Sequence, residues 1–262
     1  MSDFKDKVAV VIGATSTGGM GEAVARDLAA RGARVVVAGR CKESAEALAQ
    51  QIGGRACVCD LGDEASIEAL MRHAATKVGN GAIDIVVNAG GQAFAAMMAD
   101  VDAAVLMQSA RINLVGPVLA MKHAGKYLRQ GGVFLQFTSI SARQPTPATT
   151  PYSIFKSAVE QAIRIAALEF GAKGIRYLGI APGIVITPMT EFLDNDFTRR
   201  VIAGVTPLGR MVTTADVVAA VRFLIGEECF ETGHIFPVTG GAMITRALLP
   251  QHRVWIVASA VA

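Results

Sequence analysis

Lys7-Val-Ala-Val-Val-Ile12, then Gly13-Ala-Thr-Ser-Thr-Gly-Gly-Met-Gly21, then Glu22-Ala-Val-Ala25 decides the architecture of this 262-residue chain. A β-branched run passes through a glycine-rich turn into helical spacing, the opening of a βαβ unit. Glycines let a backbone approach a pyrophosphate, and a helix N-terminus offers it unpaired N–H groups and partial positive charge. Five residues separate Gly13 from Gly19. By itself the turn reads either as a nucleotide site or as a tight strand-to-helix connection.

The same alternation continues along the chain. Strands are expected at Lys7–Ile12, Arg34–Gly39, Arg55–Cys59, Ile83–Asn88, Val133–Thr138, Ile175–Ile180 and His234–Val238. Their near-continuous apolar character suits a parallel sheet covered on both faces. Helices are expected near Gly19–Arg31, Glu43–Ile52, Asp63–Val78, Val101–Arg129 with a break near Asn113 or Pro117, Pro151–Ala172 and Thr214–Ile225. Met189–Val205, mixing aromatic and charged residues, reads as a lid or as a surface excursion.

Composition excludes several classes. With 52% hydrophobic and 18% charged residues the chain is neither disordered nor highly charged, and so little charged surface points to burial between subunits. The net charge of +3 comes from scattered residues, which argues against a nucleic-acid partner. Met1–Lys7 is charged and lacks the apolar region of a signal peptide, which predicts a cytoplasmic protein. No apolar run reaches the ~20 residues of a membrane span. Cys41, Cys57, Cys59 and Cys229 lack metal-site spacing and are expected to stay reduced, and His73, His123, His234 and His252 show no ligand pattern, so no metal is expected.

Several motifs then fall in one order: the glycine loop, Asp60-Leu61, Asn88-Ala-Gly90, Asn113, Ser139, Tyr152-x-x-x-Lys156, and Pro182-Gly183 with Thr187. In order and spacing, from Lys7 to Ile244, the chain resembles the short-chain dehydrogenase/reductase family. Pro207-Leu-Gly-Arg210 and Thr239-Gly-Gly241 extend the likeness. The resemblance implies a single doubly wound α/β Rossmann domain over residues 1–245, a seven-stranded parallel sheet with helices on both faces, a nicotinamide dinucleotide and alcohol/carbonyl interconversion. Residues 246–262 form a tail whose Val254-Trp-Ile-Val257 is expected to cover a neighbouring subunit or close the active site.

Tyr152 and Lys156 share one helical face, with Thr149-Thr150-Pro151 as cap and helix start. An ammonium and a helix N-terminus both favour phenolate, though the pair alone also reads as a packed Tyr and a solvated Lys. The resemblance implies that Ser139, ahead of Ser141, bonds the substrate oxygen and that Tyr152 exchanges the proton. It implies that Lys156 holds the nicotinamide ribose while lowering the Tyr pKa, and that Asn113 holds a water. Cofactor contacts are expected from Gly13, Thr15, Ser16, Thr17, Gly19, Met20, Gly21, Arg40, Asp60, Leu61, Asn88, Ala89, Gly90, Tyr152, Lys156, Pro182, Gly183, Val185 and Thr187.

Two positions depart from the family pattern: the glycine loop is two residues longer, at Thr17-Gly18, and Leu178 stands where Asn is usual. The second expected strand ends without a carboxylate, and Arg40 offers a fork suited to a 2′-phosphate, so NADP(H) is expected over NAD(H), with Gly39→Asp plus Arg40→Val expected to reverse the preference. Related enoyl reductases carry Lys seven positions after Tyr, where this chain has Val159, and halohydrin dehalogenases carry Arg for Lys156. A dinucleotide-sensing protein without turnover is the other alternative. Gln92, Phe94, Gln144, Met189 and Phe192 are expected to line a partly apolar substrate pocket, and the long helices 101–129 and 151–172 to pair in a homodimer or tetramer.

Overall fold

A computed structural model describes residues 4–245, so the tail expectation and His252 lie outside the described residues. The strands are β1 (Val8–Ile12), β2 (Arg34–Gly39), β3 (Arg55–Val58), β4 (Ile83–Asn88), β5 (Leu128–Phe137), β6 (Arg176–Pro182) and β7 (Ile235–Val238). They form one parallel sheet in the order β3-β2-β1-β4-β5-β6-β7. The order reverses between β1 and β4, and ligands of such sheets bind beyond the carboxyl ends at that switch point. Pro237 is tolerated because β7 is an edge strand.

Among the described residues the α-helices are α1 (Met20–Ala30), α2 (Lys42–Ile52), α3 (Glu64–His73), α4 (Ala103–Ala110), α5 (Gly116–Tyr127), α6 (Thr150–Gly171), α7 (Asp196–Val205) and α8 (Thr214–Ile225). Because side chains alternate across a strand, β1 feeds two cores. Ala9 and Val11 meet Val24 and Leu28 of α1 and Val217 and Val221 of α8. Val10 and Ile12 meet Ile67 and Leu70 of α3, Met121 of α5 and Val159 and Ile163 of α6. Leu178 is fully buried in the first of these cores.

Some local expectations shift. The long helix expected at Val101–Arg129 is interrupted at the predicted place by a π-helical turn, Arg111–Val115, and ends at Tyr127. The next strand therefore starts at Leu128 rather than Val133, with a register shift against β4. By length and composition the run Ala103–Tyr127 is apolar enough to cross a membrane. In that run Ala120, Met121 and Ala124 are buried in the second core. Met189–Val205, expected as a lid or a surface excursion, carries a 3₁₀ turn and a helix of its own. A 3₁₀ turn, Pro188–Leu193, is fixed by the Thr187/Thr190 capping box, and the Asn195 side chain caps α7. Leu193 and Ile202 then pack with Ile184, Ile186 and Val205 in a small separate core. All four cysteines are free thiols.

Candidate active site

The carboxyl ends of β1 and β4 bring the glycine loop against Asn88-Ala-Gly90. A Cβ on Gly13 would stand 2.5 Å from the Gly90 nitrogen, and one on Gly21 would stand 2.3 Å from the Gly13 carbonyl oxygen. Backbone fills the space side chains would need, which leaves a cleft of about 270 Å³ lined by Thr15, Ser16, Gly19, Arg40, Asp60 and Leu61 among others. Gly19 caps α1 without a side-chain bond, so the first-turn N–H groups receive none from the cap residue. The two extra residues of the loop turn outward: Thr17 is exposed and lies outside the cleft lining, and the Gly18 N–H donates to Glu22 Oε2 at 2.6 Å. Glu22 is in turn paired with Arg26 at 2.7 Å.

Arg40 is exposed at the cleft rim and makes no ion pair among the described residues. Asp60 is committed in part to its own turn, its Oδ1 accepting from the Gly62 N–H at 2.9 Å. Asn88 is completely buried and does not line the cleft; its Oδ1 accepts from the Gly90 N–H at 3.0 Å and its Nδ2 donates to Gln136 at 2.9 Å. It shapes the turn from behind. Cys59, Gly91 and Pro188 join the lining without a sequence signal of their own, and Gln92, expected beside the substrate, lines this cleft instead.

Sharing Met20, Thr187 and Met189 with the cleft is a second cavity of about 430 Å³. Ser139 and Tyr152 reach it from the end of β5 and the first turn of α6, and Pro182, Gly183 and Val185 from the end of β6. The expected Phe94, Gln144, Met189 and Phe192 all line it. Ser139 stands close enough to Tyr152 to favour its phenolate, and accepts from the Ser141 N–H at 3.2 Å and the Ser141 hydroxyl at 3.0 Å. Of the two serines Ser139 is the one that acts on Tyr152, and Ser141 supports it. Thr149 does not cap α6 with its side chain; its hydroxyl pairs with Thr146 O and Ser153 Oγ. Thr187 Oγ1 is engaged with Thr190.

Lys156 lies one turn after Tyr152 and is buried, its Nζ donating to Phe137 O at 3.0 Å and standing 5.5 Å from the Tyr152 ring centre. Burial pulls its ammonium down to about 8. Burial also pushes the Tyr152 phenol up to about 12 against the lowering bond from Ser139, so in the protein alone the phenol is protonated, contrary to the lowered value expected from Lys156. Asn113 sits in the π turn, fully buried, its Oδ1 accepting from the Gln92 N–H at 3.2 Å and its Nδ2 donating to Gln92 O at 2.9 Å and Ser109 Oγ at 3.1 Å. Ser109, which no motif flagged, donates to Pro151 O and so ties α4 to the start of α6. A Cβ on Gly91 would meet Asn113 Oδ1 at 3.2 Å and Lys156 Nζ at 3.3 Å, placing both side chains against one stretch of backbone.

A seven-stranded parallel sheet with a glycine-lined cleft at its switch point defines a doubly wound, Rossmann-like protein. Residues 13–243 match the family described as Enoyl-(Acyl carrier protein) reductase. The chain is 36% identical to cis-4-hydroxycyclohexanecarboxylate dehydrogenase of Sinomonas cyclohexanicum, covering 91% of this chain and 97% of that one. It is 34% identical to (-)-isopiperitenol/(-)-carveol dehydrogenase, mitochondrial, of Mentha piperita, covering 90% and 92%. A short-chain type dehydrogenase/reductase from Mycobacterium ulcerans superposes with a TM-score of 0.87 at 28% identity over 93% of this chain and 92% of that one. The chain belongs to the short-chain dehydrogenase/reductase family, whose members use NAD(P)(H).

Proposed function

We propose that the protein interconverts a secondary alcohol and a ketone with NADP(H), through Asn113, Ser139, Tyr152 and Lys156. The observation that carries this reading is the meeting of Ser139 and Tyr152 where the glycine-lined cleft opens into the second cavity. The dehydrogenase relatives support the reaction class.

The glycine cradle, the α1 terminus and Arg40, exposed at the cleft rim, fit a phosphorylated dinucleotide, and no acid stands at the end of β2 to bond an unmodified ribose. NADPH held there would supply the hydride for a carbonyl carbon. Ser139, already held by Ser141, donates its hydroxyl hydrogen to the carbonyl oxygen and orients it. Tyr152, protonated by its burial, gives up its phenolic proton to that oxygen as general acid. Lys156 offsets the charge left on the phenolate, and Asn113 holds the Gln92 backbone beside it.

NADPH absorbance followed against a panel of ketones and aldehydes tests the reading. Carbonyl-dependent oxidation is expected; tight NADPH binding with no turnover of any panel member would replace the enzyme by a dinucleotide-binding protein. A homo-oligomer belongs to the same reading, because exposed Met107, Val118, Ile165 and Leu168 lie on the outer sides of α4, α5 and α6.

A further inference from the structure

The 430 Å³ cavity beside Tyr152 has a lining without a single Lys, Arg, Asp, Glu or His among the described residues. Its polar side chains are also already committed. Both amide hydrogens of Gln144 are spent, on Ala242 O and Thr245 O at 3.0 Å each. Thr146 donates to Gln144 O, Thr190 to Val185 O and Thr206 to Ile202 O, while Thr149 pairs with Thr146 O and Ser153. Thr138 points its hydroxyl at Ile180 O and Glu160. Thr239 aside, the side-chain donors left for a ligand are those of Ser139 and Tyr152. The rest is wall: Phe94, Phe192, Leu193, Ile202, Val205 and Val212.

We propose that this cavity takes an uncharged substrate whose one oxygen is the reacting carbinol or carbonyl and whose remainder is a hydrocarbon body, alicyclic or branched. The inference rests on the dehydrogenase reading of the site and narrows it. A carboxylate or phosphate on the substrate would shed its hydration among groups whose hydrogen bonds are already made, and an unpaired buried charge is strongly disfavoured. Each carbon buried against the apolar wall improves affinity about fourfold. A body of several carbons and a lone oxygen therefore matches the apolar wall and the two free donors of the cavity.

Three ketones with the same ring decide the point: 4-methylcyclohexanone, 4-tert-butylcyclohexanone and 4-oxocyclohexanecarboxylate. Binding to the protein, alone and with NADP⁺, is measured by calorimetry, and turnover separately with NADPH. The methyl ketone is expected to bind at least thirtyfold more tightly than the carboxylate, and the tert-butyl ketone at least tenfold more tightly again. Phe192→Arg, at a partly exposed position on the rim, is expected to shrink the discrimination against the carboxylate at least tenfold. Equal or better binding of the carboxylate, no binding of either neutral ketone, or an unchanged ratio in the Phe192→Arg protein would overturn the assignment. Selective binding of the neutral ketones without their reduction would uphold the cavity's chemistry and overturn the dehydrogenase reading instead.

Discussion

Thr15 and Gly39 interlock: a Cβ built on Gly39 would stand 2.3 Å from Thr15 Oγ1, 2.5 Å from its Cγ2 and 2.9 Å from its Cβ. Rotation of the threonine clears the first two contacts but not the third. A side chain at the end of β2 therefore requires the glycine loop around Thr15 to shift. The exchange Gly39→Asp with Arg40→Val, expected to reverse cofactor choice, meets that obstacle. With wild-type protein a 10- to 150-fold preference for NADPH is expected, on the order of one charge-assisted bond from Arg40. The double variant should lose NADPH use without gaining NADH use, and adding Thr15→Gly should restore activity with NADH. Steady-state kinetics with both cofactors measure this; efficient NADH turnover by the double variant would show that the loop yields.

Tyr152→Phe keeps the ring packing and removes the proton donor. Turnover should fall by roughly 10²–10⁴-fold while NADPH affinity, measured by fluorescence titration, stays within about twofold. Activity near wild type would assign the proton to another group.

Lys156 links stability to pH. Its folded value, about 8, lies below the ordinary 10.5, so between those limits the unfolded chain binds more protons and stability rises with pH. Below pH 8 the folded state carries the whole cost, about 3 kcal/mol for 2.5 pH units. Cys59, pushed from 9.0 up to about 12, and the raised Tyr152 and Tyr177 act in the opposite sense above pH 9 to 10, which leaves pH 8 to 9 as the clean window. Lys156→Met should be the more stable protein at pH 7, and its advantage should shrink by about 1 kcal/mol between pH 8 and 9 in urea titrations. A constant difference across that range would mean that burial does not pull the Lys156 ammonium down.

Asn113→Ala strips the Gln92 N–H and C=O of their partners. A loss of about 1–3 kcal/mol is expected from thermal unfolding. Asn113→Asp keeps the acceptor for the Gln92 N–H and should recover part of that loss; equal destabilisation by both variants would assign the effect to packing of the π turn.

Sedimentation equilibrium should give a mass of two or four chains. Leu168 is 83% exposed on α6, and Leu168→Asp should lower the assembly by at least a factor of two in mass at micromolar concentration. A wild-type mass of one chain would refute the assembly.

What the sequence determined by itself was whatever depends on neighbours along the chain. Arg34–Gly39 and Ile83–Asn88 are strands to the residue, because near-continuous apolar runs suit a sheet covered on both faces. Tyr152 and Lys156 share a face of α6 because they are four apart, and the helix break at Asn113 was legible from the Asn and Pro117 within an otherwise helical run. Helix α7 was hidden, since Asp194, Asp196, Arg199 and Arg200 outweigh the Leu193 and Ile202 that turn inward. Tertiary structure alone decided what passes between distant segments. Thr15 closes the end of β2, Ser109 ties α4 to α6, and Gln144 spends its amide on Ala242 and Thr245 about a hundred residues away. Burial reversed the expected direction of the Tyr152 shift for the same reason. Periodicity and spacing record which face of an element is apolar, but desolvation and hydrogen-bond pairing depend on which atoms the assembled sheet brings within a few ångströms.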